Sequence, residues 1–235
     1  MDMLQLREKE IFETLKNIRK FRFVLIGGYA VNAYTLPRFS VDCDVVVEDY
    51  SQLESIEKEL KKIKYAKEPT DKVNLPYHEE FRRYEKEVAK NFRVSVDIMI
   101  KYVSDRTTHA LFEAEWIFKN SALRLLKGKT ITEELKLRII NPDALIVTKF
   151  VSCRTTDIRD IFMLMPQAKD TYWIKEEISK RCDFKNRFEK IKNKITSAEF
   201  KNNLQGVYGY VDKNVFEKHK RAVLELSGSV GILNL

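Results

Sequence analysis

Between residues 1 and 65, hydrophobic residues recur with the periods of helices and strands. Four apolar residues at helical spacing predict an amphipathic helix over residues 4–19. A short apolar run that stops at Gly27-Gly28 predicts a buried strand over residues 21–26. Three further elements are expected here: a helix over 29–36 that Pro37 ends, a strand over 41–47 rich in β-branched residues, and a helix that starts at a capping box, Ser51–Glu54, and runs to about Tyr65.

The rest of the chain changes from strand patterns to helical ones. Apolar and polar residues alternate over 94–100, which predicts a strand, and two more strands are expected over 122–140 around a glycine turn. The segment 66–91 is highly charged and carries no assignment. Asn141-Pro142-Asp143 has the residues of a helix start, and the pattern beyond it is mostly helical. We therefore predict an α+β fold, with a small mixed sheet and flanking helices in residues 1–140 and a helical domain in 141–235.

Composition excludes several classes of protein. Apolar residues make up 44% and charged residues 33%, which is typical of a folded globular chain. No apolar run approaches the roughly 18 residues that a membrane span needs, and the first residues lack the apolar block of a signal peptide. The net charge of +8 divides into +3 over residues 1–140 and +5 over 141–235, which weakly favours a polyanionic partner for the second part.

The cysteines and histidines show no metal-binding or disulfide pattern. Cys43, Cys153 and Cys182 are odd in number and far apart, and the three histidines, His78, His109 and His219, are scattered. Structural zinc sites and disulfide scaffolds are disfavoured on these spacings. We expect a reducing, cytoplasmic location.

Three aspartates carry the candidate chemistry. Asp42 and Asp44 are two residues apart in a predicted strand, so their side chains project from one face, and Asp97 interrupts another strand on the face of Ser95. A carboxylate within a β-branched strand is costly to bury unless it is paired or binds a metal. Three carboxylates together would suit Mg²⁺ or Mn²⁺. A surface strand end for the first pair and a salt-bridged Asp97 are the plain alternatives.

Gly27-Gly28 stands between a predicted buried strand and a predicted helix. Without side chains, these residues would allow a phosphate to approach the backbone amides closely. A glycine pair by itself is more often only a turn. Its significance comes from the aspartates that follow it.

The motif formed by these residues resembles the nucleotidyltransferase superfamily typified by DNA polymerase β. Thirteen residues separate Gly27-Gly28 from Asp42-Cys43-Asp44, and Asp97 follows in a later strand. The stretch IGGYAVNAYTLPRFSVDCDVVV is similar to the minimal branches of that superfamily, which include abortive-infection toxins and lincosamide-type antibiotic nucleotidyltransferases. The similarity extends over about residues 20–165. Pro37 shortens the helix after the glycines relative to many members.

The resemblance implies an enzyme that moves a nucleoside monophosphate from an NTP such as ATP to an acceptor hydroxyl and releases pyrophosphate. It implies that Asp42, Asp44 and Asp97 bind Mg²⁺ or Mn²⁺, and that Asp97 acts on the acceptor hydroxyl. Lys149 would take part in catalysis and neutralise the triphosphate. The remaining nucleotide-binding residues that the resemblance implies are Gly27, Gly28, Arg38, Ser40, Arg154, Asp157 and Asp160, with either of the last two orienting Lys149.

The acceptor and the partners stay open at the level of sequence. The basic second part favours RNA or tRNA, as in toxin relatives, for which an antitoxin protein would be a partner. Residues 185–194 (KNRFEKIKNK) are either an amphipathic helix with a basic solvent face or an RNA contact. A small-molecule antibiotic acceptor, a glycosyltransferase that uses the Asp-x-Asp motif, and an NTP-binding regulatory module without turnover are the alternatives.

Overall fold

The computed structural model describes residues 2–69 and 80–228, so His78 and the tail from residue 229 onward lie outside the described residues. The chain divides into two compact units. The first contains Met1–Ser104 and Leu111–Asn141, and the second contains Asp105–Ala110 and Pro142–Leu235. The division expected from the sequence falls after residue 140 and assigns residues 105–110 to the first unit.

A seven-stranded mixed sheet forms the centre of the described part of the first unit. The strands run in the order β3-β4-β5-β2-β1-β9-β8, and β2–β5 and β1–β9 are the parallel pairs. A separate pair, β6 and β7, is antiparallel. The strands are β1 Val24–Ile26, β2 Asp42–Val47, β3 Ala66–Lys67, β4 Phe81–Ala89, β5 Phe92–Ile100, β6 Tyr102–Ser104, β7 Leu111–Glu113, β8 Ser121–Leu126 and β9 Leu135–Ile140.

Helices flank this sheet. They are α1 Met3–Ile18, α2 Gly27–Val31, α3 Tyr50–Lys62 and α4 Ala114–Lys119. The apolar stripes of α1 and α3 are fully buried at Ile11, Leu15, Ile56 and Leu60. Because α1 packs on both α3 and β5, this apolar surface fixes the strand that carries Asp97.

The described part of the second unit is helical. Its helices are α5 Pro142–Ser152, α6 Thr155–Leu164, α7 Thr171–Ser179, α8 Phe184–Thr196, α9 Ala198–Tyr208 and α10 Lys213–Glu225. Phe162 of α6 packs against Phe200 and Phe216, with ring centroids 5.1 Å away in each case. In residues 2–69 and 80–228, no helix is long and apolar enough to cross a membrane. The α+β class, the mixed sheet and the helical second part are therefore confirmed.

Two local predictions need correction, and several short elements had no prediction. The helix expected over 29–36 begins at Gly27 and ends at Val31, because the chain then turns to bring Arg38 to Asn32. The cap of α3 is Asp49, whose carboxylate accepts a hydrogen bond from the backbone N–H of Gln52, and not Ser51. The segment without an assignment contains β3 and β4, and the sequence pattern does not reveal β6, β7 and α4 because each is only three to six residues long.

Candidate active site

Four polar side chains meet on one face of the sheet where β2 and β5 run side by side. In the parallel register, Asp42 pairs with Ser95 and Asp44 pairs with Asp97. Register partners in a sheet point to the same face, and residues two apart on a strand do so as well. The intervening Cys43 and Val96 are fully buried on the other side. The apolar residues on that side anchor the two strands and leave the carboxylates together on the opposite face.

Two of these carboxylates have hydrogen-bond donors close by. The Ser95 hydroxyl donates to Oδ1 of Asp42 over 2.6 Å. Arg83, the register partner of Asp97 on β4, donates from Nε and Nη2 to the two oxygens of Asp97 over 2.8 and 2.7 Å. Such a bidentate pair is charge-assisted and orients the carboxylate strongly. Asp97 is therefore a salt-bridged strand residue, as one of the plain alternatives expected.

The glycine pair packs directly against this group. Gly27 has φ of +66°, and a β-carbon there would overlap with Oδ2 of Asp44. A β-carbon on Gly28 would overlap with the Ser40 hydroxyl and lie 3.2 Å from the Arg38 guanidinium. The absence of side chains at both positions therefore leaves room for the polar groups of residues 38–44.

The loop between α2 and β2 holds Arg38 and Ser40 in place. Asn32 is fully buried and forms two hydrogen bonds with Arg38: its amide donates to the Arg38 carbonyl, and its Oδ1 accepts from the Arg38 backbone N–H. The Arg38 guanidinium donates to the carbonyl of Phe39 over 3.0 Å. Arg38 and Ser40 are themselves largely buried. Asn32 is therefore a supporting residue that the sequence reasoning missed.

The carboxylates affect the charge state of their neighbours. Burial raises the pKa of the Cys43 thiol well above its usual value, and the negative charges of Asp44, Asp97 and Asp42 raise it further. Cys43 is consequently a neutral packing residue. The hydrogen bonds to Asp97 raise the pKa of Arg83 above its ordinary value, so this side chain is a permanent cation.

The donor set bears directly on metal binding. Asp42 and Asp44 offer hard oxygen ligands, which suit Mg²⁺ or Mn²⁺, and the glycine at position 27 makes room for the Asp44 carboxylate. Asp97 directs both of its oxygens to Arg83. Within residues 2–69 and 80–228, no group of three His, Cys, Asp or Glu side chains is arranged to hold a metal ion. The first two aspartates thus fit a divalent cation chemically, and the participation of Asp97 stays a prediction.

The other predicted residues lie in the second unit and form a buried ionic cluster there. Lys149 on α5 places its ammonium nitrogen 2.9 Å from Oδ1 of Asp157 and 3.0 Å from Oδ2 of Asp160. The two aspartates are three residues apart on α6, so they share a face, and both are almost completely buried. Arg154 donates from its backbone N–H and its Nε to Oδ2 of Asp157, while its own side chain is 66% exposed.

Both aspartates of this cluster contact the lysine. Sequence reasoning expected Asp157 or Asp160 to orient Lys149, and both pair with it. Asp157 also accepts the backbone N–H of Arg154 at the start of α6, so this carboxylate both caps the helix and contacts the lysine. An ammonium between two carboxylates has few orientations open to it, so its charge is fixed in position.

Sequence reasoning missed Arg83 and did not name Ser95 as a site residue. Strand alternation placed Ser95 on the face of Asp97, but its hydrogen bond to Asp42 depends on the register between two strands. Arg83 lies in the charged segment without an assignment, where polar residues on both faces of β4 obscure the alternation. Two groups of predicted residues result: Gly27, Gly28, Arg38, Ser40, Asp42, Asp44 and Asp97 lie in the first unit, and Lys149, Arg154, Asp157 and Asp160 in the second.

The fold of this chain was compared with known proteins. No protein-family model matches the chain. No curated protein matches it in sequence. The nucleotidyltransferase toxin MenT4 from Mycobacterium tuberculosis H37Rv matches with a TM-score of 0.58 and 11% identity, covering 98% of this chain and 85% of its own.

Two further solved structures match less well. An antigenic nucleotidyltransferase-like protein from Paracoccidioides brasiliensis has a TM-score of 0.47 and 15% identity, covering 80% of this chain and 88% of its own. The lincosamide antibiotic adenylyltransferase LnuA, bound to lincomycin, has a TM-score of 0.43 and 16% identity, covering 66% and 92%. Of these three, MenT4 is similar enough to identify a shared fold. The chain therefore has the nucleotidyltransferase fold, as the resemblance of its motifs implied.

Proposed function

We propose that this protein transfers a nucleoside monophosphate from an NTP to an acceptor hydroxyl and releases pyrophosphate. The observation that carries the proposal is the register of β2 and β5, which brings Asp42, Asp44 and Asp97 to one face of the sheet beside Gly27. Carboxylates with only a structural function would not need glycine at position 27, against the Asp44 carboxylate, or at position 28, against the loop that holds Arg38 and Ser40. The fold shared with MenT4 supports the same reaction.

Asp42 and Asp44 are the residues that would hold Mg²⁺ or Mn²⁺, with Asp97 completing the set. When bound, such an ion neutralises triphosphate charge and favours ionisation of an attacking hydroxyl. Once its oxygens are released from Arg83, Asp97 orients the acceptor hydroxyl and takes its proton. The acceptor oxygen then forms a bond to the α-phosphorus as the bond to the pyrophosphate oxygen breaks, so the pyrophosphate leaves with the electron pair.

The remaining side chains bind the triphosphate. The guanidinium of Arg38 and the hydroxyl of Ser40 lie against Gly28 and supply a cation and a donor to the phosphate oxygens. Within the second unit, Lys149 is the cation that we assign to phosphate binding, with its position fixed by Asp157 and Asp160, and Arg154 offers an exposed one. Catalysis on this account consists of positioning and charge neutralisation, because phosphoryl transfer requires little covalent chemistry from the protein.

We further propose RNA, such as tRNA, as the acceptor, and an antitoxin protein as the partner of a toxin-type enzyme. MenT4 is described as a nucleotidyltransferase toxin, and the net charge of +5 over residues 141–235 suits a polyanion. Helix α8 buries Phe188 and Ile191 and leaves basic residues on its other side, which supports the amphipathic alternative for residues 185–194. That solvent face is also where an RNA backbone would bind.

The decisive experiment is label transfer from each α-³²P-labelled NTP, with Mg²⁺, into total RNA, into protein and into small molecules. The wild type is compared with Asp44→Asn and with Glu54→Gln, which neutralises an exposed carboxylate on α3 as a matched control. We expect label in RNA from the wild type and from Glu54→Gln, and none from Asp44→Asn. Thermal unfolding and NTP binding of each variant show that the loss is not a folding defect.

Other results would redirect or reject the proposal. Label in protein or in a lincosamide-like antibiotic would keep nucleotidyl transfer and reject RNA as the acceptor. NTP binding without pyrophosphate release would favour a regulatory module. Binding of UDP-sugars in preference to NTPs would favour a glycosyltransferase, and no nucleotide binding at all would reject the proposal.

A further inference from the structure

Arg83 is a basic side chain inside the acidic face of the sheet. It lies on β4 directly opposite Asp97, and it holds both Asp97 oxygens at 2.8 and 2.7 Å. Its Nη2 is also 3.9 Å from Oδ1 of Asp42. One guanidinium therefore faces two of the three carboxylates that the proposed function assigns to a metal.

The burial of this pair makes the contact a strong one. The side chain of Asp97 is 6% exposed and that of Arg83 is 28% exposed, so water screens their attraction only in part. A buried carboxylate without a partner is unfavourable, and the pairing with Arg83 compensates that cost when no other cation is present. The same oxygens are the ones that a divalent cation would need.

We propose that Arg83 is an internal counter-cation that competes with a divalent cation for Asp97. In the metal-free protein, Arg83 neutralises Asp97 and stabilises the β4–β5–β2 face. Asp97 can join Asp42 and Asp44 around a cation only after the two Arg83 hydrogen bonds are broken. This inference rests on the proposed function, because it takes the divalent cation from that proposal, but it concerns the affinity for the cation and not the transfer reaction.

Removing the Arg83 charge should have two opposite effects: tighter binding of Mn²⁺ and lower stability of the metal-free protein. Arg83→Gln keeps a long polar side chain and removes the charge. Asp97 can then turn its oxygens to a metal, so affinity for Mn²⁺ should rise about tenfold or more, as expected when an opposite charge next to a carboxylate is removed. The metal-free protein should unfold at a lower temperature, because Asp97 loses the Arg83 cation. Saturating Mn²⁺ should raise the unfolding temperature of the variant more than that of the wild type.

The experiment measures Mn²⁺ binding by electron paramagnetic resonance and by calorimetry, together with thermal unfolding in EDTA and in Mn²⁺. The matched control is Arg93→Gln, which removes an arginine from the same strand pair, where Arg93 binds Glu85 on the surface with 65% of its side chain exposed. That variant should bind Mn²⁺ like the wild type. If Arg83→Gln does not fold, Arg83→Lys serves instead, since it keeps the charge, loses the bidentate contact and should show a smaller gain in affinity.

A double variant tests whether Asp97 is the contested ligand. In the Asp97→Asn background, Arg83→Gln should give no gain in Mn²⁺ affinity. A gain that survives there would mean general charge repulsion and would overturn the proposal, as would equal affinity of the wild type and Arg83→Gln, or no Mn²⁺ binding by either. The readouts separate this inference from catalysis. If the wild type transfers label but its Mn²⁺ affinity equals that of Arg83→Gln, only this inference is refuted. If the competition is observed but the wild type transfers no label, only the proposed reaction is refuted.

Discussion

Gly27 packs against the Asp44 carboxylate so closely that no larger residue fits at position 27. Its φ of +66° is a backbone conformation that residues with a β-carbon rarely adopt, and such a carbon would overlap with Oδ2 of Asp44. The conformation of this glycine and the direction of the Asp44 carboxylate are thus linked. Any residue at position 27 other than glycine must either move the carboxylate or change the turn after β1.

Gly27→Ala should therefore both destabilise the first unit and reduce activity. We expect a loss of about 1–3 kcal/mol in the free energy of unfolding, the usual cost of an unfavourable backbone conformation. Nucleotidyl transfer should fall at least about tenfold, because the Asp44 carboxylate is displaced. A tenfold loss corresponds to about 1.36 kcal/mol of transition-state stabilisation. Urea unfolding and label transfer measure the two quantities.

The chain contains a suitable control for this substitution. Gly206 lies in α9, and a β-carbon there would meet no atom within 4 Å beyond its chain neighbours and the adjacent backbone of its own helix. Gly206→Ala should leave activity unchanged and raise stability by up to about 1 kcal/mol, since alanine is the better helix former. Equal effects of the two substitutions would show that the contact with Asp44 is not the cause.

The sequence predicted those parts of the site that depend on alternation within one strand. Asp42 and Asp44 could be assigned to one face, and Asp97 to a face with Ser95, because side chains alternate along a strand. Which strands are neighbours, and in which register, depends on tertiary packing, so alternation alone could not predict that Asp44 pairs with Asp97. Arg83 lies in a segment whose strand was not predicted, so its pairing with Asp97, fourteen positions away on another strand, could not be predicted either.

Helix ends show the same limit. The start of α5 at Pro142 follows from local chemistry, because proline favours the first turn of a helix. The start of α2 at Gly27 does not, since two glycines weaken helix formation and the observed turn depends on packing against Asp44 and Ser40. Local preferences located the long elements, and tertiary contacts determined the short ones around the site.

Lys149→Met should destabilise the second unit strongly. The substitution removes the cation that lies 2.9 Å from Asp157 and 3.0 Å from Asp160 and leaves buried carboxylates without it. We expect a loss of about 3–5 kcal/mol in the free energy of unfolding, as is usual when one partner of a buried ion pair is removed. Chemical denaturation of the purified variant measures the loss.

A double-mutant cycle separates this ionic effect from lost packing. Combining Lys149→Met with Asp160→Asn removes a negative charge that has lost the Lys149 cation, so the double variant should be more stable than Lys149→Met alone. If the two losses are simply additive, the pair contributes no coupling energy. Transfer activity should be absent in both variants even where they are folded, since neither retains the Lys149 cation.

Ser95→Ala should impair the proposed reaction without unfolding the protein. The Ser95 hydroxyl donates to Oδ1 of Asp42 over 2.6 Å, and its loss should cost about 1 kcal/mol of stability. Because Asp42 would then be less well oriented, we expect kcat to fall by about tenfold with little change in the KM for NTP, the pattern of an interaction that matters in the transition state. Ser95→Thr keeps the hydroxyl and should restore most of the rate, whereas a wild-type kcat in Ser95→Ala would mean that Asp42 needs no such support.

His219 should make stability depend on pH just below neutrality. Burial lowers the pKa of this imidazole below its usual 6.5, the hydrogen bond with the carbonyl of Phe162 opposes that effect, and the charge of Lys218 adds to it. As pH falls through about 6.5, the unfolded chain takes up a proton before the folded one, so the free energy of unfolding decreases. The contribution of neutral His219 is fully present above about pH 6.5, and it is lost as pH falls to the folded pKa, by no more than about 1.4 kcal/mol per pH unit. His219→Gln keeps a donor for the Phe162 carbonyl and cannot titrate. The free energy of unfolding of this variant should therefore vary less between about pH 7 and pH 5 in urea titrations. An identical pH dependence in both proteins would assign it to other groups.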